Sequence, residues 1–260
     1  MMRTWRLTQR CMAAGVVAMA CSVLPGEAPT TTGPVREPTT RSSVVDGQLL
    51  ARLEALDARV ALVRDMTTRF RQEKHTPLMR KPLVSAGFIR VKGSVMRWDT
   101  EKPSASIMRI DDKEIRLYYP SDKTLEIYRL DQQMARLAAS PLPRLNILKE
   151  QFDFVEIPHS DMLPKSDPGR YLALQLSPRD ATLRQHVREI RVLLDLKTAC
   201  MSRMEMTDAD GDLTVLTFED VKMNTGLDDK DLRLDAPAGA KVVRPLEAME
   251  QDNGNPAPSR

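Results

Sequence analysis

The sequence predicts a mainly β (α+β) domain, an antiparallel sheet of short strands with an amphipathic helix against one face. Three observations lead there. Within short runs between 84 and 130, as at 95–99, 115–119 and 125–127, apolar residues alternate with polar ones, the period at which strand side chains share a face, and strand-like runs resume between 171 and 222. Turn signals separate these runs at hairpin intervals: Gly93-Ser94, Lys102-Pro103, Asp111-Asp112, Pro120-Ser121-Asp122 and Asp210-Gly211. Ahead of them, one stretch keeps the three- and four-residue spacing of a helix instead.

The chain opens on a secretion signal at 1–20. Arg3, Arg6 and Arg10 form a positive start, followed at 11–20 by an uncharged, mostly apolar run of Ala, Val and Met. That run is shorter than the roughly 20 apolar residues a membrane-spanning helix needs, and it has the length of a signal-peptide core. Ala18-Met19-Ala20 closes it with a small-x-small cleavage pattern. Cys21 follows at once, where a bacterial lipoprotein carries the thiol that receives its diacylglyceryl group. Ala18 stands where Leu is usual in such a box, and Met19 is large for its slot, so lipidation at Cys21 and simple release are both open. Residues 21–43 form a linker in which Pro25, Pro29, Pro34 and Pro38 are interleaved with Thr and Ser. Such composition stays extended and solvated, as a tether or as a plain disordered start.

The folded domain is expected over 44–245. Val45, Leu49, Leu53, Leu56, Val60, Val63 and Phe70 predict one helix face, with Asp46 or Ser43 as its N-cap. Strands are expected at 84–92, 95–99, 106–110, 115–119 and 124–130. Two helical pieces follow at 134–139 and 145–151, with Pro141 and Pro143 between them. Strands resume at 171–177, 189–195, 201–207 and 213–222. A polar tail covers 246–260.

Composition excludes several classes of function. The formal net charge is only +3 and is spread along the chain, which gives no nucleic-acid footprint. No stretch after the signal is apolar enough to span a membrane. Three cysteines, one of them inside the signal, make no disulfide framework, and Cys200 reads as a small semi-buried residue. His75, which follows the predicted helix, and His159 and His186, in loop-like polar stretches, join no zinc or hydrolase motif. Asp208-Ala-Asp210-Gly211-Asp212 resembles a calcium loop, but its Gly comes two places early and strands flank it, so a hairpin turn is expected. No enzyme, cofactor or metal is expected.

The alternation itself marks an apolar surface. Met96 and Trp98 share one face of their strand against Arg97 and Asp99. Ile115, Leu117 and Tyr119 stand against Arg116, and Leu125 and Ile127 against Glu126. An ordinary core and an apolar site for a greasy ligand share this pattern. Fifteen methionines against few aromatics favour a flexible apolar surface.

Several strings together resemble the LolA family of periplasmic lipoprotein carriers. They are Phe70-Arg71-Gln72-Glu73-Lys74, Arg80-Lys81-Pro82-Leu83-Val84-Ser85-Ala86-Gly87, Arg97-Trp98-Asp99 followed by Pro103, and Tyr118-Tyr119-Pro120. Asp210-Gly211, Phe218, Asn224 and Asp235-Ala236-Pro237 with Gly239 and Val242 continue the likeness, which covers about 45–245. The resemblance implies a strongly curved antiparallel sheet, an unclosed β-barrel, with an N-terminal helix and lid helices over its concave face. It implies a monomeric periplasmic carrier that moves lipoproteins from inner to outer membrane, taking them from inner-membrane release machinery and passing them to an outer-membrane acceptor. Carried over by position, Met96, Trp98, Ile115, Leu117, Leu125 and Ile127 would line the acyl-chain cavity. Leu145, Ile147 and Leu148 would belong to the lid. An anchored receptor lipidated at Cys21 and a non-transporting envelope sensor are the alternatives. Many carriers fasten the lid with a basic residue followed by Pro; this chain has Lys92-Gly93 there, which leaves the fastening open.

Overall fold

A computed structural model describes residues 47–129, 141–167 and 169–245. The signal, Cys21, the linker, the cap positions Ser43 and Asp46, the first helical piece at 134–139 and the tail lie outside the described residues. Helix α1 (Gly47–Val60) leads into β1 (Asp65–His75), β2 (Leu83–Lys92), β3 (Val95–Lys102), β4 (Ser106–Ile110), β5 (Glu114–Tyr119) and β6 (Thr124–Arg129). Then come α2 (Leu145–Gln151), β7 (Phe152–Glu156), β8 (Tyr171–Pro178), α3 (Ala181–His186), β9 (Val187–Asp195), β10 (Cys200–Asp208), β11 (Leu213–Met223), a 3-10 turn at Asp229–Leu232 and β12 (Lys241–Val243).

The twelve strands make one sheet in the order β12-β6-β5-β4-β3-β2-β1-β11-β10-β9-β8-β7. Ten of the eleven neighbouring pairs are antiparallel, and β12 runs parallel to β6. The expected mainly β fold with an N-terminal helix is present. This order describes an open sheet with β12 and β7 at its borders; it shows neither closure nor a strong curl.

The predicted helix is shorter than expected. Leu49, Leu53, Leu56 and Val60 are its buried stripe, and the helix stops at Val60. Phe70 belongs to β1, where Met66, Thr68, Phe70 and Gln72 alternate inward and Thr67-Thr68 supply β-branched strand formers. His75 therefore ends a strand rather than following a helix. The helical piece expected at 145–151 is α2, and the chain goes straight from Gln151 into β7, a strand absent from the sequence-based expectations. Asp210-Gly211 is the expected hairpin between β10 and β11, with Gly211 at φ +88° and the Asp208 carboxylate accepting from the N–H groups of Asp210 and Asp212.

One large apolar core joins the stripe of α1 to the same face of the sheet on both sides of β1. Polar ties hold α1 at both ends. Arg52 pairs with Glu156 of β7 at 2.8 Å, and the Arg59 guanidinium donates to the carbonyls of Leu196 and Lys197 at the β9–β10 turn. The opposite face is covered by loops. Met162 packs there on Ala173 and Leu193, and Leu234 packs on Tyr118 and Leu125.

Candidate functional site: an apolar sheet face beneath two helices

Register builds the site. Across β2 to β5, Ile89, Trp98, Met108 and Leu117 stand in one row, and Val91, Met96, Ile110 and Ile115 in the next. All eight are buried and face α1. Directly opposed side chains on one face are the unit of sheet packing, so each row is a continuous apolar strip about four strands wide. In β6 the rows end on Glu126 and Tyr128, opposite Leu117 and Ile115. Glu126 is only 7% exposed and accepts a hydrogen bond from the Tyr128 hydroxyl at 2.9 Å.

Of the six residues expected in the cavity, the structure gathers Met96, Trp98, Ile115 and Leu117 on this face. It places Leu125 and Ile127 on the other one. Leu125 opposes Tyr118 and packs on Leu234, and Ile127 opposes Arg116. Sequence alternation separates the two faces of a strand without saying which is inside, and in β6 both faces are covered.

Phe70 is a site residue that the helical reading hid. Its ring lies 4.6 Å from that of Trp98, with the planes at 59°. The two reach each other across Gly87, which opposes Phe70 in β1 and Thr100 in β3. A Cβ at position 87 would come 1.9 Å from the carbonyl oxygen of Asp99, so only glycine fits between these strands. Thr68-x-Phe70-x-Gln72 carried the strand signal that would have found Phe70. Four methionines, Met66, Met96, Met108 and Met204, complete the buried lining. Their unbranched, polarizable side chains adapt to irregular apolar shapes.

The second helical piece of the expected lid is α2. Leu145 is buried, and Leu148 packs on the core half-buried, as Ile147 also is half-buried. Arg144 precedes α2 and offers no side-chain cap. The cap comes from α1 instead: the Leu145 N–H donates to Asp57 Oδ1 at 3.0 Å. The carboxylate thus satisfies an end donor of α2 and lies at the positive end of its dipole. Just upstream, the Pro141 carbonyl accepts from the Met201 N–H at 2.8 Å and from Cys200 Sγ at 3.3 Å. Burial, with the charge of Asp195, pushes the Cys200 thiol up to about 12, which leaves it inert.

The far face of the same strands is built from charge. Arg90, Arg97, Arg109 and Arg116 stand directly opposite one another across β2 to β5. Such a row repels itself unless it is neutralised. Asp99 takes Arg90 and Arg97, Asp111 takes Arg109, and Glu114 takes Arg116. The remaining donors hold a C-terminal strap. Arg97 donates to the Arg233 carbonyl, Arg109 to that of Leu232 at 3.1 Å, and Arg116 to that of Leu234 at 3.3 Å. The strap is rooted at Asp65. Burial pushes that carboxyl up, but hydrogen bonds from the Thr225 hydroxyl and from the N–H groups of Thr225, Gly226 and Leu227 outweigh it and hold it below its ordinary value.

Among the described residues no group of His, Cys, Asp or Glu is arranged to hold a metal. What the apolar face can do is pack apolar matter. No helix among the described residues is long and apolar enough to cross a membrane.

Comparison with known proteins assigns this architecture. The family model of the outer membrane lipoprotein carrier protein LolA matches residues 61–234. That span is narrower than the expected 45–245 and leaves out α1 and β12. An outer-membrane lipoprotein carrier protein of Pseudomonas paraeruginosa is 27% identical over 162 residues, 62% of this chain and 72% of that one. Its counterpart in Pseudomonas fluorescens is 24% identical over 214 residues, 81% of this chain and 95% of its own. Among solved structures, a LolA superfamily protein from Nitrosomonas europaea aligns with TM-score 0.40 at 13% identity, covering 72% of this chain and 97% of that one. With its model matched over well more than half of the sequence, the chain belongs to the LolA family, a family of non-enzymatic lipoprotein carriers.

Proposed function

We propose that the protein is a periplasmic carrier that holds the acyl chains of lipoproteins against the face beneath α1 and α2 and moves them from inner to outer membrane. The observation that carries this reading is the pair of apolar rows from β2 to β5, lined by methionines and covered by helices. Acyl chains in water cost about 0.8 kcal/mol per exposed CH₂. Crossing an aqueous gap therefore needs an apolar sleeve that also lets go.

In the closed molecule α1 and α2 fill the sleeve themselves. Leu49, Leu53, Leu56 and Leu145 occupy the place the cargo would take. Cargo entry is then an exchange of one apolar surface for another, and its net cost lies mainly in the few polar ties of the helices: Arg52 to Glu156, Arg59 to its two carbonyls, and Asp57 to Leu145. Twisted sheets of more than about ten strands curl, split or flatten. In this proposal the sheet curls about α1 and α2, with the helix-covered face concave. Leu125 and Ile127 face the other way, against Leu234, and take no part in this holding. Inner-membrane release machinery and an outer-membrane acceptor are the partners this cycle requires.

A diazirine side chain placed at Met96 or Met108 should crosslink to the acyl part of a co-purified lipoprotein, and one at Ile107 on the far face should not. Crosslinks confined to Ile107 would sink the proposal. Cys21, directly behind the small-x-small signal, favours a second reading, an anchored receptor of the same fold. Intact mass of the mature protein decides between them, since an unmodified mature chain removes the receptor.

A further inference from the structure

The β1–β2 hairpin carries an apolar, basic tip that none of the site described above uses. Pairing ends at Lys74–Leu83 on the β2 side and at His75–Leu213 on the β11 side, so residues 76–82 lie beyond the paired sheet. A turn bonded from the Met79 N–H to the Thr76 carbonyl at 3.1 Å places Pro77 and Leu78 at its two corners. Proline presets the backbone of the first corner of such a turn. Leu78 is 94% exposed and Met79 44%, the former the most exposed large apolar side chain among the described residues. Arg80 and Lys81 follow, both exposed and neither in an ion pair with a described residue.

A lone exposed leucine needs no explanation on an ordinary surface. Here it is adjacent to a second exposed apolar side chain, held on a hydrogen-bonded corner, and backed by two exposed cations. The neighbouring acids are largely engaged: Asp212 pairs with Lys74 at 3.0 Å, Glu73 pairs with Arg71 at 2.9 Å, and Asp208 accepts backbone N–H groups of its own turn. Asp210 is the exposed acid left nearby. A protein pocket would take the leucine but would have no general use for the cations. An anionic bilayer takes both, with the apolar tip below the headgroups and the cations at their level.

We propose that the 76–82 hairpin tip is a membrane-contact element that dips Leu78 and Met79 into an anionic lipid surface, with Arg80 and Lys81 on the headgroups. The proposal goes beyond cargo binding and holds whether or not the sleeve carries lipoproteins. It would bring one end of the β1–β2 pair, and the sheet face built on it, to the bilayer where cargo is taken up or left.

The test uses the exported, full-length processed protein with Leu78→Trp and vesicles of phosphatidylglycerol in phosphatidylcholine. Emission of the unsubstituted protein is subtracted to remove Trp98, so the signal reports the tip alone whatever the N-terminus does. A shift to the blue and quenching by brominated acyl chains are expected, both weakening as salt rises. Adding Arg80→Gln and Lys81→Gln should weaken the partitioning roughly 30-fold. These positions are exposed, so the far-ultraviolet circular dichroism should not change. Emission that stays at the water value on every vesicle overturns the proposal, and so does an equal shift on pure phosphatidylcholine. If the tip stays in water while Leu78→Gln still stops lipoprotein delivery in cells, the element serves a protein partner and the membrane reading is wrong. Loss of cargo crosslinks at Met108 with the vesicle response intact would instead strike the carrier reading alone.

Discussion

The two faces of β2 to β5 are both covered, and they are covered by different physics. Beneath α1, Trp98, Met108 and their neighbours are held by area: many weak contacts with no preferred direction. On the far side, Arg97, Arg109 and Arg116 hold the strap by aimed hydrogen bonds to three successive carbonyls. An apolar cover can be exchanged for another apolar body with little change in free energy. A cover of aimed bonds cannot, because each bond broken leaves a carbonyl or guanidinium seeking a partner. On the proposed function, the difference teaches which face would load: a cover held by area can give way to another apolar body, and the strap side is a fastening.

That contrast can be broken at four places. The largest effect is expected at Trp98. Trp98→Ala should cost about 3–5 kcal/mol in urea unfolding, because the side chain is 3% exposed and stacks on Phe70. A cost below 1 kcal/mol, as for a surface residue, would show that the face is not packed as described. Next comes the strap. Arg109→Met leaves the Leu232 carbonyl without its donor and Asp111 without its cation, at about 1–3 kcal/mol. Amides of 229–234 should then exchange faster while those of α1 stay protected; equal loosening of both would mean the two covers are not independent.

A smaller effect belongs to the helix cover. Asp57→Ala removes the cap of α2 and should cost about 1 kcal/mol. Limited proteolysis should then cut near 145–151 before any strand is cut. Stability lost without that local cut would place the role of Asp57 elsewhere.

The smallest effect at neutral pH is the acid response of the strap root. The Asp65 carboxyl is depressed in the folded protein, so its contribution is fully present above the unfolded value of about 3.9 and is lost as pH falls through the folded value. Protection of the Thr225 and Gly226 amides should fall in that acid window alone. Asp65→Asn should flatten the response, and an unchanged profile in that variant would remove Asp65 as the titrating group.

The strands of the two meanders were legible because each buries one face, which leaves a two-residue rhythm in the sequence. The run 106–110 matches β4 end for end, and 145–151 matches α2. β1 was lost to the helix before it because Phe70 falls at a helical spacing from Val63, while the alternation of Met66, Thr68 and Phe70 is masked by threonines. Met96, Trp98, Ile115 and Leu117 were legible as one face by the same rhythm. Leu125 and Ile127 were not placed correctly, because the residue that covers them, Leu234, stands over a hundred positions away and announces itself by no pattern. The strap escaped for the same reason. Its hold lies in backbone carbonyls, which every residue has, and in arginines that a sequence shows only as solvated polar positions. The cap on α2 likewise depends on Asp57 meeting Leu145 in space, which no local spacing encodes.

A sheet left open has two raw borders, each a row of unspent amide and carbonyl groups that another copy could extend. Here one border is the parallel strand β12, three residues long, begun by Lys241 and followed by Arg244-Pro245, where proline offers no N–H to a newcomer. The other is β7, five residues long, with Asp153 and Glu156 on it. Short and charged borders resist stacking into filaments. A molecule with so wide an apolar face beneath its helices can thus be made in quantity without its own sheet borders pairing into filaments.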